Sequence, residues 1–563
     1  MVTIETKLRR LLPNGTGRGE DGSDLRGCPA WPPDVFAVVS TLARDLGCYA
    51  EERYSHAGVA RYLFTETRRQ TLKDVGKNWR DHEEVPEQAE AFWSEILTSQ
   101  DLEVERWMAV PENLSDAIMA LLVIADEAGE GIGWVYDKSF RFADFVHQQN
   151  KRLLAQEAVD LQLPESLCLL VPCSEACVQP KTLSPLAGAT IRSFSHHLAL
   201  LPPSGRVATS WLYGPVAYQK RADGITLVRP PEEAFNLLLV PFPYRIRGTA
   251  FQPAHQGTKD HPFASFMDID VESWLRGVSI GDLVRFLLTL IGQAEKECGS
   301  LHGIILPEIA LDQIRAQGIA DHLARHAPRL KLFITGVATP ATKDTLATNR
   351  VYAALFQEGK IFTHWEQSKH HRWALDRDQI TRYQLGHTLS PARRWWENTS
   401  IGGRHCAFYT FRFGASLAVL VCEDLARIDP VQTVIRAVGP NLVVALLMDG
   451  AQYTWRWPGR YATILADDPG SSVLTLTCLG MLRRSVRPGE KTPRQIGLWK
   501  EAGGETQELH LDAGQHALLV TLSSCWQENW TLDGRSDGRT TIQLSLSGVR
   551  GIAADEPFRE ITV

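Results

Sequence analysis

No apolar run in the 563-residue sequence approaches the ~18–20 residues that a membrane-spanning helix requires. Ala117 to Ala125 is among the longest, at nine residues. The opening stretch, MVTIETKLRRLLPNG, mixes acid and base around no long apolar core, so no secretory signal is expected. Neither charge dominates: Lys and Arg number 59 against 66 Asp and Glu, a net of −7. That balance exerts no global pull on polyanions, and a nucleic-acid partner is not indicated. GxSxG elbows, Walker loops, paired CxxC motifs and internal repeats are absent. The glycines of 13–33 (PNGTGRGEDGSDLRGCPAWPP) follow no strand and precede no GK[ST], so this stretch reads as a flexible segment. The ten cysteines are spread along the chain rather than arranged as a disulfide framework. Reduced thiols and a cytoplasmic location are the expectation. Cys168, Cys173 and Cys177 cluster, but a zinc site would need a fourth ligand and a more typical spacing, so they read as buried strand cysteines. His196-His197 and His370-His371 could bind metal, yet neither forms an HExxH-type helix pair, and both read as surface or hydrogen-bonded histidines. No metal and no cofactor are expected.

What remains is ordinary globular composition, 44% apolar and 22% charged, in a chain long enough for three to four domains of ~150 residues each. Residues 1–160 read as a helical module. Asp34 is placed to cap a helix with the apolar stripe Val35, Val38, Val39, Leu42 and Leu46. Further stripes run through 89–97, 115–124 and 142–154. Trp93, Trp107 and Trp134 are read as core or interface residues. Residues 161–230 form a small connector with strands expected at 166–172 and 206–218. A Pro-rich stretch at 229–234 marks the main boundary.

Residues 231–563 alternate strands with helices, the texture of a layered α/β fold. Asp282 to Ala294 has the apolar face of a helix: Leu283, Phe286, Leu287, Leu290, Ile291 and Ala294. Gly303 to Pro307 and Lys331 to Val337 are short buried strands. Val351 to Phe356 and Ile361 to Trp365 make a hairpin around Glu358-Gly359-Lys360. Ala407 to Phe413 and Ser416 to Val421 make another, turning at Gly414. Strands are also expected at 442–448, 473–478 and 516–522.

Polar residues stand where some of these strands end. Glu308 follows GIILP, Cys422 follows SLAVLV, and Lys369 lies four residues beyond the first hairpin. Strand ends in layered α/β folds are rigidly held and reachable from loops. A thiol of pKa ~8.5 needs a base or a positive field to become a nucleophile at neutral pH. A glutamate could take its proton and pass it to a leaving amine, and a lysine could hold the developing oxyanion.

LPE at 306–308, SKHH at 368–371 and VLVCEDLAR at 419–427 resemble, in that order, the signatures of the nitrilase, or carbon–nitrogen hydrolase, superfamily. The similarity covers about 233–525. It implies a four-layer αββα sandwich that pairs into homo-oligomers. It implies a thioester or thioimidate on Cys422, with Glu308 as general base and acid. Lys369 and the backbone N–H of Glu423, beside the nucleophile, would hold the oxyanion. Glu397, in WWENTS, looks like the second glutamate of many members, which would orient Lys369 and substrate; a plain loop carboxylate is the other reading. The sequence departs from the pattern at CEDLARIDP, where Asp429-Pro430 lacks the usual following Glu. The CED-Leu form is closer to the glutamine-amide-cleaving branch, which favours an amide over a nitrile. The turn before Lys369 is longer than the family's, with Lys360 as the fallback.

Residues 179–202 (QPKTLSPLAGATIRSFSHHLALLP) are faintly similar to the segment before the hydrolase domain in bacterial reverse transcriptase–nitrilase fusions linked to phage defence. LADD at 465–468 echoes a polymerase YADD, but it lacks the Tyr and a partner carboxylate motif, and reads as a surface loop. The expectation is therefore a small-molecule amide or nitrile hydrolase, with a possible protein partner on the N-terminal module. The rivals are an inactive scaffold for oligomerisation or sensing, which could serve antiviral defence, and an acyltransferase. Trp373, Trp395, Trp396, Tyr453, Trp455 and Trp457 are candidates for aromatic walls of a substrate pocket.

Overall fold

The computed structural model describes residues 2–13, 15–16, 24–50, 65–104, 110–132, 176–183, 190–201, 208–213, 218–221, 224–227, 234–254, 265–342, 345–401, 404–412, 415–487, 489–538, 541–555 and 558–562. The helical stripe expected at 142–154, the strand at 166–172, Trp107, Trp134, Cys168 and Cys173 lie outside them.

The N-terminal helices pack around Glu112–Ala128, whose residues from Ala117 to Ala128 are all buried. A helix apolar on every side belongs inside a core. Pro32–Leu46, Glu66–His82 and Glu87–Thr98 surround it. Pro32–Leu46 starts three residues earlier than its stripe suggests. Pro32 and Pro33 open it, and Asp34 sits in its first turn rather than at the cap. Proline suits that position because its missing N–H would have no partner there, and an acid in the first turn complements the helix dipole.

The antiparallel pair Cys177–Pro180 and Leu198–Leu201 joins two cores. Val178, Leu198 and Leu200 pack with the helices, while Cys177, Ala199 and Leu201 pack with the sheets. Period-2 alternation sends neighbouring side chains to opposite faces, and here both faces are covered.

The rest is built on two large sheets. One runs, in order, Lys360–Ser368, Thr348–Gln357, Leu332–Thr339, Gly303–Ile305, Phe235–Leu239, Ala517–Gln527 and Thr541–Ile552, with Leu311–Asp312 joining Leu332–Thr339. The other runs Gln507–His510, Gln495–Lys500, Ser472–Thr477, Leu442–Leu447, Ala415–Val421, His405–Arg412 and Ala208–Tyr213. The edge strand Ala208–Tyr213 thus comes from the stretch read as a connector. Side chains bridge the sheets: Gln367 donates to the Val419 carbonyl at 2.8 Å and accepts from the Ala407 N–H at 2.9 Å, and Ser472 donates to the Leu544 carbonyl at 2.7 Å. Ile280–Cys298 and Gln313–His326 cover the first sheet, and Trp457–Asp467 covers the second. The arrangement is helix, sheet, sheet, helix: a four-layer αββα sandwich preceded by a helical region. The central parallel strands of the second sheet are buried along their whole length, which explains their unbroken apolar sequences.

LADD is not a surface loop. Leu465 and Ala466 are buried in the last turn of Trp457–Asp467, and Asp468 accepts from Arg192 and Arg436. Among the described residues, no helix is long and apolar enough to cross a membrane.

Candidate functional site

Two parallel strands of the second sheet end side by side, Ala415–Val421 at Cys422 and Leu442–Leu447 two residues before Asp449. Cys422 has φ 48°, in the left-handed region, and opens a short 3-10 turn, Cys422–Ala426. A non-glycine residue held there costs about 1–3 kcal/mol, strain that clusters at functional positions. Ile309, next to Glu308, is likewise left-handed at φ 51°. Both sharp turns end buried apolar strands.

Lys369 follows directly on the strand Lys360–Ser368, not four residues beyond it, because pairing with Thr348–Gln357 continues to Arg350↔Ser368. The lengthened turn displaces nothing. Lys360 is exposed at the far end of that strand and is no substitute. The Lys369 Nζ donates to Glu308 Oε1 at 2.8 Å and to Glu397 Oε2 at 2.7 Å. Glu397 ends the strand Trp395–Glu397 and also accepts from the Trp373 N–H at 3.1 Å. It is 3% exposed, so it is no loop carboxylate at the surface.

Asn349 completes the cluster. Its Nδ2 donates to both Glu308 Oε1 and Glu397 Oε1, at 2.8 Å each. One amide thereby fixes the spacing of two like-charged carboxylates. The sequence does not single it out, because it stands among other polar residues, Thr348 and Arg350, at the head of its strand. Glu308 Oε2 is buried and has no hydrogen-bond partner among the described residues.

Asp424, inside the CED motif, is a second residue of the site that the sequence does not single out. It is fully buried, accepts twice from the His370 N–H at 3.1 Å, and pairs with His371 Nδ1 at 2.9 Å. It therefore ties the turn bearing Cys422 to the residue after Lys369. His370 and His371 are hydrogen-bonded histidines, as their sequence suggested.

The charges explain the site's protonation. Burial pushes the Cys422 thiol well above its usual range, the Glu308 charge pushes the same way, and Lys369 opposes both. Burial raises the Glu308 carboxyl against the pull of Lys369, and the Glu397 charge adds to the rise. Burial works against the Lys369 charge, but Glu308 and Glu397 outweigh it and hold the ammonium well above its usual range. The site thus contains a protonated thiol, a fixed ammonium and a carboxylate with raised proton affinity.

Glu423 pairs its side chain with Arg427 at 2.6 Å. Its backbone N–H lies at the start of the 3-10 turn, where donors have no acceptor within the turn. Trp373 and Trp395 are buried beside Glu397, whereas Trp455 is 72% exposed and stacks on Tyr453 with centroids 5.5 Å apart. Trp457 donates to Asp449, which also takes bonds from Tyr383 and Arg456.

No family model and no curated protein matches the chain. Solved structures with carbon–nitrogen hydrolase names do resemble it. An amidase from Nesterenkonia sp. is 12% identical at a TM-score of 0.32, over 52% of this chain and 92% of that one. Saccharomyces cerevisiae Nit3, a member of branch 10 of the nitrilase superfamily, is 12% identical at 0.29, over 49% and 90%. A glutamine-dependent NAD+ synthetase from Acinetobacter baumannii is 13% identical at 0.31, over 56% of this chain; the match spans only 48% of the synthetase. Likenesses of this size carry no activity over to this chain.

Proposed function

We propose that the chain hydrolyses a non-peptide carbon–nitrogen bond, an amide in preference to a nitrile, through an acyl-enzyme on Cys422. The observation that supports this most directly is the buried Lys369 ammonium held between Glu308 and Glu397, with the Cys422 thiol in the same field.

The sulfur attacks the amide carbonyl carbon as Glu308 takes the thiol proton. The carbonyl oxygen becomes an oxyanion, held by the Lys369 ammonium and the Glu423 N–H. Glu308 returns the proton to the amide nitrogen, the C–N bond breaks, and ammonia leaves a thioester. Water then attacks the thioester carbon. Glu308 accepts a water proton and gives it to the departing sulfur, releasing the acid and restoring the thiol. Glu397 and Asn349 keep Lys369 and Glu308 in place throughout.

The test is ammonia release from a panel of primary amides by the full chain and by Cys422→Ala. The variant keeps the wild-type far-ultraviolet spectrum and releases no ammonia above background. Turnover unchanged by the substitution would overturn the mechanism.

One observation favours a second reading, a binding or oligomerisation scaffold. Cys422 is only 3% exposed, and Glu308 and Lys369 only 1%. Under that reading the wild-type chain releases no ammonia from any amide or nitrile, and Cys422→Ala leaves its oligomeric state unaltered.

A further inference from the structure

The histidine pair at 196–197 does not match its sequence expectation. His196 is buried, and among the described residues neither of its ring nitrogens has a hydrogen-bond partner. A buried imidazole with two unsatisfied nitrogens forfeits at least one hydrogen bond's worth of free energy. Something nearby should be taking a lone pair.

The surroundings say what. Asp126 accepts from the N–H groups of His196, His197 and Leu198 at 2.8, 2.9 and 3.0 Å, which pins this segment against the helix Glu112–Ala128. The next residue of that helix, Glu127, is thereby brought to the two imidazoles. One ligand atom from each of Glu127, His196 and His197 lies within 4.8 Å of the other two. Arg535 enters from the far end of the chain and donates to Asp126 at 3.0 Å, Glu127 at 2.6 Å and Asp533 at 2.8 Å. Three buried carboxylates therefore share one guanidinium. Asp533 Oδ1 also has no hydrogen-bond partner among the described residues.

We propose that Glu127, His196 and His197 bind a divalent transition-metal ion, of the zinc class. Two neutral imidazoles and one carboxylate oxygen are a zinc donor set, with a fourth position left for water. Tetrahedral zinc ligands stand roughly 3.4 Å apart, so a small side-chain rotation closes the site. Glu127 can serve both neighbours, one oxygen to Arg535 and the other to the ion. The ion would staple the central helix of the N-terminal module to the strand Leu198–Leu201, which bridges to the sheets.

The site shares no residue with the Cys422 cluster, so its test needs no turnover. Chelator-treated full-length protein is titrated with Co2+ alone. The expected result is about one tetrahedral Co2+ per chain, seen as visible d–d absorption and displaced by Zn2+. Added Zn2+ also raises the melting temperature of the wild-type chain. His197→Ala, at a half-buried position, abolishes both the band and the melting shift. His196→Phe, which keeps the buried volume filled, repeats the test if His197→Ala melts early. His322 and His326 stack on the exposed face of one helix and could bind cobalt by themselves. Their joint replacement by alanine leaves band and shift unchanged. No band in the wild type, a band that survives the loss of His197 and His196, or one that disappears with His322 and His326 would each overturn the proposal.

Discussion

Lys369 keeps a charge where burying one costs several kcal/mol, and two carboxylates with an asparagine between them make that tolerable. The asparagine is the least replaceable neutral member. Asn349→Leu removes hydrogen bonds to charged groups worth about 1.5–3 kcal/mol each, so kcat on a responsive amide should fall roughly 10–100-fold. A melting curve separates this loss from unfolding, and kcat within twofold of wild type would rule out the positioning role. The raised Glu308 carboxyl sets the pH response. The proposed mechanism requires the base form, so the acid limb of kcat/KM should lie above the ordinary glutamate range. Glu397→Gln removes a like charge that holds the proton on Glu308. The residual activity of that variant should therefore show its acid limb at lower pH. A limb that stays put or moves up would mean another group titrates.

At the scale of elements, the site depends on how closely two strands approach. A methyl group at Gly336 would meet Ile309 N at 2.4 Å and Glu308 Cα at 2.5 Å, both backbone atoms that cannot rotate away. The Gly336 N–H also donates to the Pro307 carbonyl at 2.9 Å. Gly336→Ala should push the Glu308 segment off the sheet, costing about 1–3 kcal/mol in denaturant unfolding and most of the activity. Wild-type stability and turnover together would show that the backbone yields without cost. Of this element-level structure, much was legible beforehand. Glu308 and Cys422 at the ends of apolar runs are a local pattern, as is the 3.6-residue stripe of Ile280–Cys298. The approach of Gly336 to Glu308 was not legible, since a glycine that admits another strand resembles any other glycine.

For the whole molecule, Arg535 is the bolt between halves. It reaches from the loop joining the last two long strands into carboxylates on the helix Glu112–Ala128, and donates to the Phe194 carbonyl at 2.6 Å. Arg535→Met leaves buried carboxylates uncompensated, and should destabilise docking of the helical module by about 3–5 kcal/mol, read as an early separate unfolding step. A single unchanged transition would refute it. Burial works against the Asp126 charge, but Arg535, His197 and the backbone N–H groups overcome it and hold its carboxyl below the usual range. A depressed carboxyl contributes stability that is fully present above its unfolded pKa and is lost as pH falls through the folded one. Module docking should therefore weaken below the ordinary aspartate range, and Arg535→Met should flatten that dependence in melts taken across pH.

The sequence alone determined the layered α/β class, the helical N-terminal region, and the residue types at Glu308, Lys369 and Cys422. The first two follow from periodicity, which is local; the three residues were picked out by their strand-end positions together with the resemblance of their motifs to the nitrilase signatures. It did not determine the partners. Asn349 between two glutamates, Asp424 on His370, the strand Ala208–Tyr213 at the edge of a distant sheet, and Arg535 on Asp126 are contacts between segments far apart in the chain. The same applies to His196, whose neighbours looked like surface residues until the helix bearing Glu127 packed against them. Charge pairing and burial are decided only when the sheets stack and bring remote polar groups together away from water. No spacing along a single strand or helix encodes which carboxylate will face which lysine.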